Sequence, residues 1–315
     1  MKRAFLFPGQ GSQRPNLLNE LPKHQMIDST ISEASEIVNE NMYNLHTEEA
    51  LTSTRAVQLT LLTAEVATYR LFESKGIKPD FVAGHSVGAF SAAVAAGVID
   101  FKDALELVHL RGQVMEQLFP EGYGMAVVLG LTSGEVHSLI DATLDTEYPV
   151  YMANQNSPDQ FTLSGAMPGL HRLVEKLTKH GARSACFLNV STPSHCPLML
   201  PVSKALREKA AHISFKNPVI PFVGNVRARV LFHSVDIRLD IVDNVSCPVQ
   251  WHNASTVLYE NGVRTFIEMP PGNVLSRLAE KAFHDARVVS VSEHSFEDCV
   301  YICNLKSKDE GRLES

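Results

Sequence analysis

The amino-acid sequence predicts an α/β protein: a large subdomain around a central, mostly parallel sheet, with a small ferredoxin-like (βαββαβ) subdomain inserted into it. Three observations lead there. Short apolar runs such as Ala4 to Phe7 stop abruptly at turn residues (here Pro8-Gly9), as buried strands do. Segments of helical spacing lie between those runs. One internal stretch has its own rhythm of strand, helix, strand, strand, helix, strand, the split βαβ pattern. The length of 315 residues suits two units, or one large domain carrying an insertion.

Taken in order, Ala4 to Phe7 is the first strand. Residues from about Ala56 to Lys75 have helical spacing, and Gly76 is a plausible stop. Asp80 to Gly84 is a second short strand, followed by G-H-S-V-G and an Ala-rich helix to Gly97. Asp100 to Leu118 is a helix with the apolar stripe Ala104, Leu107, Val108, Val114, Met115 and Leu118. The inserted unit then runs through a strand at Gly124 to Gly130, a helix at Ser133 to Leu144 and strands at Val150 to Asn154 and Gln160 to Ser164. It closes with a helix at Pro168 to His180 and a strand at Arg183 to Val190. The chain returns through S-T-P-S-H-C-P to a helix near Met199 to His212, a strand near Val219 to Val223, a helix near Ala254 to Glu260 and a strand at Thr265 to Glu268. These elements place the large subdomain at 1–122 and 191–305, the small one at 123–190, and a flexible polar tail at 306–315.

Composition removes several function classes. The chain is 44% hydrophobic and 20% charged, ordinary for a globular protein. Its net charge of −7 lacks the basic footprint of a nucleic-acid binder. No apolar stretch approaches the roughly 18 residues of a membrane span, and the apolar run before Pro8 is too short for a signal-peptide core. Five scattered cysteines (Cys186, Cys196, Cys247, Cys299 and Cys303) form no C-x-x-C pair, which points to reduced thiols, no zinc ribbon and a cytoplasmic location. No metal-ligand spacing is present.

The sharpest chemical signal is G-H-S-V-G at 84–88, between a strand and a helix. G-x-S-x-G in that setting is a nucleophile elbow, which makes the large subdomain α/β-hydrolase-like. Ser86 is lifted clear of the sheet, and the next backbone N–H, that of Val87, is available to an oxyanion. A serine nucleophile needs a base. His85 is adjacent, and a neighbour on a strained turn normally points elsewhere. His195, in a loop bracketed by two prolines, is either an aimed base or a loop histidine without a role. Arg111 interrupts the apolar stripe of its helix, and burying an unpaired guanidinium costs several kcal/mol. Either an internal Asp or Glu or a substrate carboxylate meets it, or its stem snorkels to the surface. F-P-G-Q-G-S-Q at 7–13 follows a strand but matches neither the dinucleotide fingerprint nor a lysine-containing phosphate loop. An N–H there is a candidate second oxyanion donor.

Together these motifs resemble the malonyl-CoA:acyl-carrier-protein transacylase family. The likeness runs from F-P-G-Q-G-S-Q through G-H-S-V-G, L-R-G-Q-V-M, A-N-Q-N-S-P and P-S-H-C-P to P-V-Q-W and P-P-G-N-V-L. It implies Ser86 as the acylated nucleophile, His195 as its base and Arg111 as the holder of the malonyl carboxylate. It further implies an oxyanion hole from the N–H groups of Gln10 and Val87, and orientation of the histidine by the main-chain carbonyl of Gln250. Asn154 and Asn156 are implied on a rim facing the site and, with Gln10, in contact with substrate. The implied substrate is malonyl-CoA, with no bound cofactor. The implied partner is an acyl-carrier protein offering a phosphopantetheine-type thiol. The chain departs from fatty-acid-synthesis members where G-H-S-V-G-A-F puts Ala89 in place of an acid. P-E-G-Y-G-M (120–125) and I-E-M-P-P-G (267–272) look more like the epsilon subunit of bacterial malonate decarboxylase, which loads malonyl onto the decarboxylase's own carrier. That subunit is the expected identity, with the fatty-acid transacylase as the alternative and a serine thioesterase or esterase as a more distant one.

Overall fold

A computed structural model describes residues 1–119, 121–143, 145–190 and 192–305. The expected tail at 306–315 lies outside the described residues. Among the described residues, ten strands form two sheets. The larger contains β1 (Lys2–Phe7), β2 (Phe81–Gly84), β7 (Phe222–Val223), β8 (Val230–Leu231), β9 (Val263–Glu268) and β10 (Arg287–Ser290), in the order β10-β9-β1-β2-β7-β8. All its pairings are parallel except the β7–β8 hairpin.

β1 sits at the centre because its residues are apolar on both faces. Phe5 and Phe7 join a core with the helices Thr54–Ser74, Gly88–Ala95 and Phe101–Leu118. Ala4 and Leu6 join the opposite core, with Trp251, Leu258, Leu275 and Phe283. Phe7 is the register partner of Gly84, so the loops leaving β1 and β2 emerge side by side at the carboxyl ends of adjacent parallel strands. Open α/β sheets place their sites at such a crevice.

The smaller sheet is antiparallel, in the order β4-β5-β3-β6, from β3 (Tyr123–Leu129), β4 (Val150–Ser157), β5 (Gln160–Ala166) and β6 (Ser184–Phe187). Numbered within the unit, that order is second, third, first, fourth, as a ferredoxin-like arrangement requires. The helices Ser133–Asp141 and Met167–Lys179 supply Val136, Leu170, Leu173 and Leu177 to its core. Its β4 edge is stitched to the larger unit: the Gln155 N–H donates to Val249 O (2.9 Å) and the Val249 N–H to Ala153 O (2.9 Å).

Several boundaries differ from expectation. The strand expected from Val219 shrinks to Phe222–Val223, because Pro218 and Pro221 cannot donate to a ladder; Val219 is left 80% exposed. The strand expected over 183–190 spans only Ser184–Phe187. The helix expected to reach Leu144 ends at Asp141, and Leu144 itself is not among the described residues. The helix after the histidine loop is Leu200–Ala210. Four helices were not foreseen (Gln25–Val38, Ser234–Asp243, Val274–Ala282 and Phe296–Asn304), nor were β8 and β10.

Candidate active site

Ser86 follows β2 with φ 56°, in the left-handed region that an ordinary L-residue enters at a cost of about 1–2 kcal/mol. The flanking glycines permit it. A Cβ on Gly84 would stand 2.1 Å from the Gly88 backbone, and one on Gly88 would stand 2.2 Å from the Phe7 carbonyl oxygen. Only bare backbones allow the elbow to close on itself and on the β1 loop.

The Ser86 Oγ lies 2.8 Å from His195 Nε2. His195 Nδ1 lies 2.6 Å from the Asn244 carbonyl oxygen. A carbonyl only accepts, so Nδ1 carries the proton and Nε2 is free to accept from the serine hydroxyl. His195 also holds a left-handed backbone (φ 64°), pinned by its N–H to Val245 O at 2.8 Å. Burial, and then the charge of Arg111, push its pKa down to about 3. The imidazole is therefore neutral at ordinary pH.

Arg111 is 1% exposed and reaches into the same cavity from the helix Phe101–Leu118, its Nη2 donating to Ser86 Oγ at 3.3 Å. Among the described residues no acid partners it, and its Nε is buried without an acceptor. Burial alone lowers its pKa to about 9. Of the two partners open to it from sequence, an internal acid is the one not found.

These three side chains, from residues 86, 111 and 195, line one cavity of about 260 Å³ together with Gln10, His85, Asn154 and Thr162. Asn154 is brought there by the β4 edge, and its Oδ1 is buried without a partner. The N–H groups of Val87 and Gln10 make no backbone hydrogen bond among the described residues, and Gln10 also lines the cavity.

Three expectations need correction. Gln250 does not orient His195; that carbonyl belongs to Asn244, because the turn after Ser234–Asp243 carries residue 244 directly behind the imidazole. Gln250 instead donates through Nε2 to Val226 O (2.6 Å). Asn156 is not part of the cavity wall: its Oδ1 accepts from His85 Nε2 at 3.2 Å. His85 does not point elsewhere. It borders the cavity, held edge-on to Trp251, and burial lowers its pKa to about 4.

Sequence reasoning also missed Asn225 and Asn244. Asn225 binds the elbow backbone through its carboxamide, and Asn244 Nδ2 donates to Ser86 O at 3.1 Å. The one local pattern at Asn244 is an N-x-S triplet (Asn244-Val245-Ser246), which carries no hint of a carbonyl facing an imidazole.

Residues 4–310 match the acyl transferase domain. The chain belongs to that family. Within it, the chain is 37% identical over 297 residues to the malonyl CoA-acyl carrier protein transacylase of Bacillus subtilis (strain 168), covering 93% of this chain and 94% of the relative. It is 36% identical over 298 residues to the protein of the same name from Escherichia coli (strain K12), covering 93% and 96%. Among solved structures, FabD from Acinetobacter baumannii superposes with a TM-score of 0.91 at 33% identity, covering 96% of this chain and 98% of that one. A type II PKS acyl-carrier protein in complex with its malonyl-transacylase gives 0.86 at 35% identity, covering 92% and 94%. The protein is an acyltransferase of the malonyl-CoA:acyl carrier protein transacylase family.

Proposed function

We propose that the protein transfers a malonyl group from malonyl-CoA to the thiol of an acyl-carrier protein through a malonyl ester on Ser86. The observation that carries this reading is the placement of Ser86 Oγ between a neutral His195 Nε2 (2.8 Å) and an acid-free Arg111 Nη2 (3.3 Å) in one small cavity. A nucleophile, its base and an unpaired cation match an acyl thioester that ends in a carboxylate.

In this mechanism the Ser86 oxygen attacks the thioester carbonyl while its proton passes to His195 Nε2. The oxyanion rests on the N–H groups of Val87 and Gln10, where each donor contributes about 3 to 4 kcal/mol. Collapse breaks the C–S bond, and His195 returns the proton to the departing CoA sulfur. The carrier thiol then repeats the steps in reverse order. No cofactor is needed for acyl transfer of this kind. A carboxylate on Arg111 offsets the charge that helps hold His195 down, so loading malonyl raises the basicity of the base. Five free thiols fit a cytoplasmic setting.

The named relatives favour a fatty-acid-type carrier as the acceptor, rather than the malonate decarboxylase carrier expected from sequence. The decarboxylase carrier is the second reading, resting on Ala89, P-E-G-Y-G-M and I-E-M-P-P-G. Offering malonyl-CoA with each purified carrier and comparing kcat/KM separates the two. A clear preference for the fatty-acid carrier supports the first reading; a preference for the decarboxylase carrier reverses it. Steady hydrolysis of malonyl-CoA, faster than transfer to either thiol, would make the protein a thioesterase instead.

A further inference from the structure

The elbow is held from outside its own motif. β2 pairs with β7 only at Val82–Phe222 and Ala83–Val223, so the ladder ends just before the nucleophile. Two residues beyond β7, the side chain of Asn225 takes over. Its Oδ1 accepts from the Ser86 N–H (3.0 Å) and its Nδ2 donates to the Gly84 carbonyl (2.8 Å), bracketing the three residues of the turn. Asn225 is itself fixed on every polar group. Its N–H donates to Asp240 Oδ2 (2.8 Å) and its carbonyl accepts from the Gln250 N–H (3.0 Å). The next residue is gripped by the same pair: the Val226 N–H donates to Asp240 Oδ1 (3.0 Å), and the Val226 carbonyl accepts from Gln250 Nε2 (2.6 Å). A Cβ on Gly224 would stand 2.7 Å from Asp240 Oδ1, so the carboxylate lies hard against this segment.

We propose that Asn225 is a positioning residue for the acyl transfer: by clamping Gly84 and Ser86 it keeps the serine left-handed and aims Oγ at His195 Nε2, while Asp240 and Gln250 hold Asn225 rigid. The residue touches neither substrate nor reacting atoms. A buried asparagine satisfied on all sides often serves stability alone. Here both side-chain bonds fall on the backbone of the strained turn, so losing them misaims the hydroxyl. A misplacement of about 1 Å costs on the order of 100-fold in rate.

This inference rests on the transfer reading, and the test separates the two. Pre-steady-state release of CoA from malonyl-CoA, without acceptor, reports acylation of Ser86 in the intact chain. Asn225→Ala removes both bonds. Asn225→Asp keeps an acceptor for the Ser86 N–H, removes the donor to Gly84 O, and decides the matter if the alanine variant does not fold. The expected result is acylation slowed about 10- to 100-fold with KM within about threefold of wild type. Acetyl-CoA and malonyl-CoA should slow by the same factor, since the defect lies at the nucleophile and not at Arg111. A folded variant that acylates at the wild-type rate, or a loss confined to KM or to malonyl-CoA, overturns the proposal. A wild-type protein that releases no CoA overturns the transfer reading and this proposal together.

Discussion

Replacing Arg111 separates the roles of the cavity most cleanly. Its guanidinium is 1% exposed and has no acid beside it, and burial brings its pKa from 12.5 to about 9. That fall is equivalent to about 5 kcal/mol working against the charged form in the empty cavity. A malonyl carboxylate supplies the missing countercharge. Removing one partner of such a buried pair costs about 2 to 5 kcal/mol, or about 30- to 5,000-fold in kcat/KM. Arg111→Ala is therefore expected to lose malonyl transfer by a factor in that range, while acetyl transfer survives or rises. Arg111→Met, which keeps the volume and removes the charge, should also raise the melting temperature, because an uncompensated buried cation is gone. The assay is continuous detection of released CoA thiol with each donor, alongside thermal melting. Equal losses for malonyl and acetyl donors would refute the carboxylate clamp. A fall in melting temperature for Arg111→Met would refute the claim that the cation is unpaired.

The pH dependence follows from the same burial. His195 and His85 have pKa values lowered to about 3 and about 4. The unfolded imidazoles take up protons near 6.5, and the folded ones do not until far lower. The stability they contribute is thus whole above about 6.5 and drains away as the pH falls toward 4 and 3. Melting temperatures measured across that range should drop steeply for wild type and less for His195→Gln. The malonyl kcat/KM profile should show no acid limb near 6.5; one there would contradict the buried, neutral base. Glu65 presents the opposite sign. Both its carboxylate oxygens are buried without a partner, and burial, then the charge of Glu268, raises its pKa well above the usual range. Its burden appears as the pH rises past about 4.5, so Glu65→Met should raise the melting temperature more at pH 8 than at pH 5, and an equal gain at both would count against it.

Much of the central sheet was legible because its strands are apolar on both faces and end at turn residues; Ala4 to Phe7 and the segment before G-H-S-V-G state their position outright. The small unit was legible from the order of its elements. Residues 234–243 were not, since Val235, Ile237, Leu239 and Ile241 alternate with polar residues as in a strand. The segment is nevertheless a helix, with Val235 and Leu239 left exposed. At the site, residues that carry a chemical type out of place could be picked out: a serine between glycines, an arginine in an apolar stripe. Residues that act through the backbone could not. The carbonyl that faces His195 carries no side-chain signature, so position 244 was passed over for the nearby Gln250. Asn225 does its holding across 139 residues of chain, a distance that no local pattern reports.

Mixing the protein with malonyl-CoA and no acceptor, quenching, and mapping the peptides by mass spectrometry gives the most direct reading of what Ser86, His195 and Arg111 do together. A malonyl ester on the peptide carrying Ser86, absent from Ser86→Ala and greatly reduced in His195→Gln, is the predicted result. A malonyl group on another residue, or one that persists when Ser86 is gone, would contradict it.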